Sequence, residues 1–145
     1  MRRKEGFSLV ELLIVLAVMA ALIATITPVA LNAIRKAKAT QVGQNMKTLA
    51  SAFENYVYVE GTEPTSLSQL GRDIDSSNYA VYYTASSGTY TVVIVTDETV
   101  DTTALQNVIA DITTSTSVNT STYANLGSTL DSAETFYYQF SFTSY

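Results

Sequence analysis

The chain has no cysteine, no histidine and no tryptophan among its 145 residues, and only two prolines. Without cysteine no disulfide framework exists, and the redox character of the compartment leaves no mark. Without histidine or cysteine, catalysis by a Ser-His or Cys-His pair is excluded, because the base or the nucleophile is missing. Thiolate and imidazole metal sites fall for the same reason. Calcium held by carboxylates stays open. No base pair for catalysis can be named, so the expectation is a non-enzymatic protein that needs no cofactor.

Positive charge is scarce and lopsided. Of eight basic residues, Arg2, Arg3, Lys4, Arg35 and Lys36 come early, Lys38 and Lys47 follow, and Arg72 is the only one beyond position 48. That later stretch carries Glu54, Glu60, Glu63, Asp73, Asp75, Asp97, Glu98, Asp101, Asp111, Asp131 and Glu134. One base against eleven acids leaves a balance of about −10. Such a surface repels phosphate backbones, so direct nucleic-acid binding by this part is not expected.

What the chain does have is one long apolar run. Positions 7 to 31 read FSLVELLIVLAVMAALIATITPVAL, with Glu11 the one charged residue in 25. As a helix this spans roughly 37 Å, enough for a hydrocarbon core of about 30 Å. The basic residues ahead of it place the N-terminus in the cytoplasm and the rest across the membrane. A secretory signal peptide has a shorter apolar region and a small-x-small site, which this run lacks. A plain signal anchor and a buried core helix are the other readings on length alone. Glu11 separates them. A carboxylate in a lipid-facing helix costs roughly 2.5–3.5 kcal/mol and needs a partner. Cleavage between Gly6 and Phe7 would create an α-amine at Phe7. Phe7 and Glu11 are i and i+4 on a helix, so the amine could serve within one chain or between neighbouring chains.

The run KEGFSLVELLIVLAVMAALIATITP at 4–28 resembles the class III leader and assembly helix of type IV pilins and the related pseudopilins. The resemblance covers residues 1 to about 55. It implies cleavage after Gly6 by a prepilin peptidase and N-methylation of Phe7. It makes Glu11 the assembly glutamate, and Phe7, Glu11, Ala20 and Pro28 the assembly residues, with Ala17, Ala21 and Ala24 allowing close helix approach. Pro28 falls where the family places a helix-breaking proline, and Thr25 and Thr27 beside it favour local opening. Losing residues 1–6 removes three bases and one acid, taking the net charge from −5 to −7. The implied partners are further copies of the chain in a helical filament, the pilus assembly machinery, and the inner membrane before assembly. The implied role is a structural subunit of an extracellular pilus serving twitching motility, adhesion or DNA uptake. A secretion pseudopilin or minor pilin is the alternative, and a membrane-anchored exported binding protein a distant one.

The helical pattern continues beyond the membrane. Leu31, Ile34, Val42, Met46, Leu49, Phe53 and Tyr56 recur at spacings of three, four or a multiple. One helix is therefore expected from 7 to about 58, roughly 78 Å if continuous. Arg35, Lys36 and Lys38 would sit at the membrane edge, solvated or paired with acidic heads of neighbouring copies. Gly61 and Pro64 end the signal. A short turn is expected at 66–70, and strands at 79–84 and 89–96 joined by Ser86-Ser87-Gly88. Asp101 suits an N-cap ahead of the stripe Leu105, Val108, Ile109 and Ile112. Residues 113–122 read as a polar loop. In the last strand Phe136, Tyr138, Phe140 and Phe142 alternate with Tyr137, Gln139, Ser141 and Thr143. The fold expected is α+β: a long N-terminal helix packed on an antiparallel sheet of three or four strands, which agrees with the ladle shape of the family. The parts are a leader at 1–6, a transmembrane helix at 7–33, its amphipathic second half at 34–58 and a β-sheet head at 59–145. Many heads of the family are stapled by a C-terminal disulfide loop; with no cysteine here, that loop is absent or held otherwise.

Weaker signals lie in the head. Asn119-Thr120-Ser121 is a glycosylation acceptor pattern, of a kind that arises by chance in Ser/Thr-rich loops. Asp73, Asp75, Asp97 and Glu98 lack the spacing of a calcium loop and read as solvated acids. The ten tyrosines read as strand and core packing.

Overall fold

The computed structural model describes residues 6–71, 74–115, 122–127, 130 and 135–145. Helix α1, Leu9–Glu60, is 52 residues long and contains Pro28. A short 3-10 turn follows at Leu67–Gln69, then strands β1 (Tyr79–Ser86) and β2 (Thr89–Thr96), helix α2 (Thr102–Gln106), and strands β3 (Thr113–Ser115), β4 (Ala124–Gly127) and β5 (Thr135–Thr143). The strands form one sheet in the order β3-β5-β2-β1-β4. Every pairing is antiparallel. The fold is α+β and pilin-like.

Among the described residues the sheet has five strands, not three or four. The central three are the ones with clear β patterning. β3 and β4 are three and four residues long. TTS has no apolar residue and ANLG is too short to carry a pattern, and part of the expected 113–122 loop is strand because Thr113 and Thr114 sit opposite Tyr137 and Phe136.

The chain forms two compact units, 1–35 and 36–145. In the first, the apolar side chains of α1 are exposed, from Leu9 at 75% through Leu16 at 61% to Ile34 at 64%. In the second, α1 buries Ala39, Val42, Gly43, Met46, Leu49, Ala50, Phe53 and Val57. These repeat at three and four residues, the stripe that suits a helix laid on a sheet. The stripe meets Val81, Val92, Ile94, Leu126, Phe136 and Phe142 from the sheet and Leu105, Ile109 and Ile112 from the α2 region. Leu31 and Ile34, grouped with that stripe in the sequence, are exposed and belong to the apolar N-terminal stretch. Phe53 centres an aromatic cluster, with ring centroids 5.1 Å from Tyr83, 6.2 Å from Phe142 and 6.4 Å from Tyr90. Such pairs add about 0.5–1.5 kcal/mol each beyond their area.

The opposite face of the sheet also has a core: Ala80, Tyr82, Val93 and Val95, with Tyr123, Leu130 and Tyr137 against them. This explains why the first four residues of β1 and the last five of β2 are buried on both faces.

Local chemistry sets the boundaries. Gly61 ends α1 in the left-handed region (φ 66°), and its N–H donates to Val57 O at 3.0 Å. That is the usual glycine stop of a helix. Asp101 caps α2 by accepting from Ala104 N–H at 2.8 Å. Thr96, fully buried, donates to Asn78 O at 2.8 Å and accepts from Glu98 N–H at 3.2 Å, so burial leaves no polar atom of its side chain unpaired.

Candidate functional site: the N-terminal helix

The site begins at Gly6 and Phe7. Both are exposed and both precede the helix. Phe7 is 85% exposed. Ser8 is the N-cap residue. Its Oγ accepts from Val10 N–H at 3.2 Å, and its own N–H donates to Glu11 Oε2 at 2.9 Å. This is a capping box, in which the first-turn carboxylate reaches back to the cap residue. The first main-chain helical bond runs from Leu12 N–H to Ser8 O at 3.2 Å.

This arrangement changes one expectation. Phe7 lies outside the helix, so it and Glu11 are not an i, i+4 helical pair here. Glu11 is held instead by the Ser8 N–H, because the cap stops the helix one residue after Phe7. The signal was in the sequence: Ser8-Leu9-Val10-Glu11 is S-x-x-E directly ahead of an apolar run. Ser8 is the residue that sequence reasoning passed over.

Further along, Ala17, Ala20, Ala21 and Ala24 are spaced i, i+3, i+4, i+7 and share one face of α1, with Pro28 four residues on. All are exposed. A face of small side chains lets helices approach closely. Pro28 has no N–H for the Ala24 carbonyl, yet α1 is continuous through it. The nearby hydroxyls bond back to the preceding turn. Thr25 Oγ1 donates to Leu22 O at 2.9 Å and to Ala21 O at 3.2 Å, and Thr27 Oγ1 donates to Ile23 O at 2.8 Å. Both threonines thus satisfy their hydroxyls inside the helix, as an apolar medium requires. The chain shows no opening at Pro28 in this state.

Elsewhere, Lys38 pairs with Glu98 of the same chain (3.1 Å), and Lys47 donates to Val108 O at 2.8 Å. Glu98 also accepts from Asn78 Nδ2 at 3.0 Å. The sequence left Lys38 at the membrane edge, solvated or paired with a neighbouring copy. Its partner is 60 positions away in the chain, a relation no local pattern carries. With Lys38 half exposed the pair contributes at most about 1 kcal/mol. Among the described residues no group of three acids is placed to hold a metal. Asp75 instead accepts from Ser77 N–H and Oγ at 2.9 and 2.6 Å. Asn119 lies outside the described residues.

Residues 1–27 match the family described as the prokaryotic N-terminal methylation motif. No curated protein and no solved structure matches the chain. The matched segment contains Gly6, Phe7, Ser8, Glu11 and Ala20 and stops one residue before Pro28. With a helix long and apolar enough to cross a membrane and an α+β head, the motif supports a type IV pilin-like or pseudopilin protein. A class III leader implies processing by a prepilin peptidase and handling by an assembly machinery, and the apolar helix fits membrane anchoring before assembly.

Proposed function

We propose that this chain is the structural subunit of an extracellular type IV pilus filament, a homopolymer drawn from the inner membrane through α1. The observation that carries the reading is Glu11, the single charge in the exposed apolar run 7–31, four residues after the Phe7 that cleavage would expose. In the uncleaved chain its carboxylate is held by the Ser8 N–H, which lowers the cost of keeping it in lipid. Cleavage after Gly6 adds an ammonium, methylated in this family, next to that cap. An ammonium is the stronger partner, and a neighbouring copy can supply it. The exposed apolar length of α1 then has somewhere to go, a core of like helices whose alanine faces pack closely. The chain is not proposed as an enzyme. An intact Glu11 and a small head favour an abundant subunit over a specialised minor one. Twitching motility, adhesion and DNA uptake are candidate roles of the filament, and the acidic head argues against this subunit gripping DNA itself.

The test is Glu11→Ala. The variant should be cleaved, begin at N-methylated Phe7 by intact mass, and stay in the membrane fraction. Electron microscopy of sheared cells should show few or no filaments. Wild-type filament numbers from this variant would sink the assembly role of Glu11, and a mass starting at Met1 in the wild-type chain would favour a plain anchor.

A further inference from the structure

β5 carries an open edge. Ser144 N–H donates to Gly88 O at 2.8 Å, so even-numbered residues of this strand turn their main-chain groups toward β2. Odd-numbered residues turn away from it. Thr135 and Tyr137 meet β3, and the Thr143 carbonyl accepts from the Tyr58 hydroxyl at 3.2 Å. Between them, the N–H and C=O of Gln139 and Ser141 meet no strand among the described residues. β3 does not extend along this edge, because the chain just before it is in a turn, with Ile112 N–H donating to Ile109 O at 3.3 Å.

Proteins blunt such edges with charge, proline, a bulge or brevity. The other two edge strands are short, and β4 ends at Gly127 with φ 112°. β5 is nine residues, TFYYQFSFT, with no charge, proline or glycine, and it pairs with β2 residue for residue without a bulge. Its core-side aromatics are incompletely covered: Tyr138 and Phe140 are half-buried and stack in a row with Phe142, at 5.7 and 6.0 Å between centroids.

We infer that the free edge of β5 takes β5 of a second copy of this chain, antiparallel and centred on Ser141. The strand is complementary to itself in that register. Gln139 faces Thr143 of the second copy and Ser141 faces Ser141, so the outward main-chain groups pair, the Thr143 carbonyl taking a second donor on the lone pair that the Tyr58 hydroxyl leaves open. Phe140 faces Phe142 across the non-hydrogen-bonded positions, where side chains approach most closely, and the aromatic row continues from one head into the next. Charge selects the same place. Residues 36–145 hold eleven acids against four bases, so two heads repel over most of their surface and can meet where charge is absent. The contact is two-fold, which distinguishes it from the head-to-tail contacts that build a filament.

The absence of native cysteine makes the test specific. Ser141→Cys in the full-length chain, purified in detergent and mildly oxidised, places two thiols on residues whose Cα atoms are about 5.5 Å apart, within disulfide reach. Gln139→Cys or Thr143→Cys alone leaves like residues about 13 Å apart. The expected result is a linked dimer from S141C, none from Q139C or T143C alone, and a linked dimer when those two are mixed. Adding Gln139→Pro to S141C removes an outward N–H and spares the ladder with β2, so the dimer should be lost. A monomeric S141C, equal linking by all three thiols, or linking that survives Q139P would overturn the inference. The readout needs no filament, so it fails or succeeds independently of the Glu11 test.

Discussion

At the residue scale, Gly43 shows what the head demands of its helix. Glycine inside a helix is about 1 kcal/mol worse than alanine, yet here it is buried and central. A Cβ at this position would sit 2.6 Å from Val108 Cγ1 and 3.4 Å from Leu105 Cδ1. The turn after α2 presses directly onto the backbone of α1. Gly43→Val should therefore destabilise the head by about 1–3 kcal/mol through overpacking, measured by denaturant titration in detergent. Val108→Ala in the same chain should recover part of that loss, since the two sites share one contact. No apolar pattern advertises Gly43, because a periodicity argument counts side chains and this residue works by having none. Ser8 was missed differently: attention to the charge of Glu11 hid its plainer role as a capping partner.

At the element scale, the β1–β2 hairpin turns through Ser87 and Gly88, both with positive φ, 51° and 81°. That pair of signs marks a type I′ turn, which favours Asn-Gly. Serine in the left-handed region costs roughly 1 kcal/mol that asparagine largely avoids. Ser87→Asn should raise stability by up to about 1 kcal/mol, read as a higher denaturation midpoint with an unchanged slope. This hairpin, the Asp101 cap, the Gly61 stop and the alternation of β5 were all legible in the sequence, because each depends on residues within a few positions of each other. β3 and β4 were not. Three or four residues make a strand only when a partner lies alongside, and Thr113 finds Tyr137 across 24 positions while Ala124 finds Tyr83 across 41. The second core on the far face of the sheet was hidden for the same reason, since Tyr82 and Val93 look alike whether their face meets water or Tyr123.

At the scale of the whole molecule, three of the ten tyrosines, besides packing strand and core, set the alkaline limit of the head. Tyr79, Tyr83 and Tyr90 all have their phenol pKa raised above the ordinary 10.0, in each case first by burial. Tyr90 also donates to Glu63 Oε1 at 3.1 Å, which disfavours its anion further. At Tyr79 the hydrogen bond from Asn45 Nδ2 (3.2 Å) works the other way and only partly offsets burial. The folded state therefore holds these protons more tightly than the unfolded chain does. Stability from this source is complete below pH 10.0 and drains away as pH rises through the higher folded values. The three phenols lie on β1 and β2 around the helix, so they should not ionise one at a time. A pH titration should show their ultraviolet difference absorbance rising in a step above pH 10.0, together with loss of near-ultraviolet circular dichroism. Tyr83→Phe removes one proton from that linkage and should move the step to higher pH. Independent phenols titrating near 10.0 while the dichroism persists would mean that the two strands do not seal those rings from water.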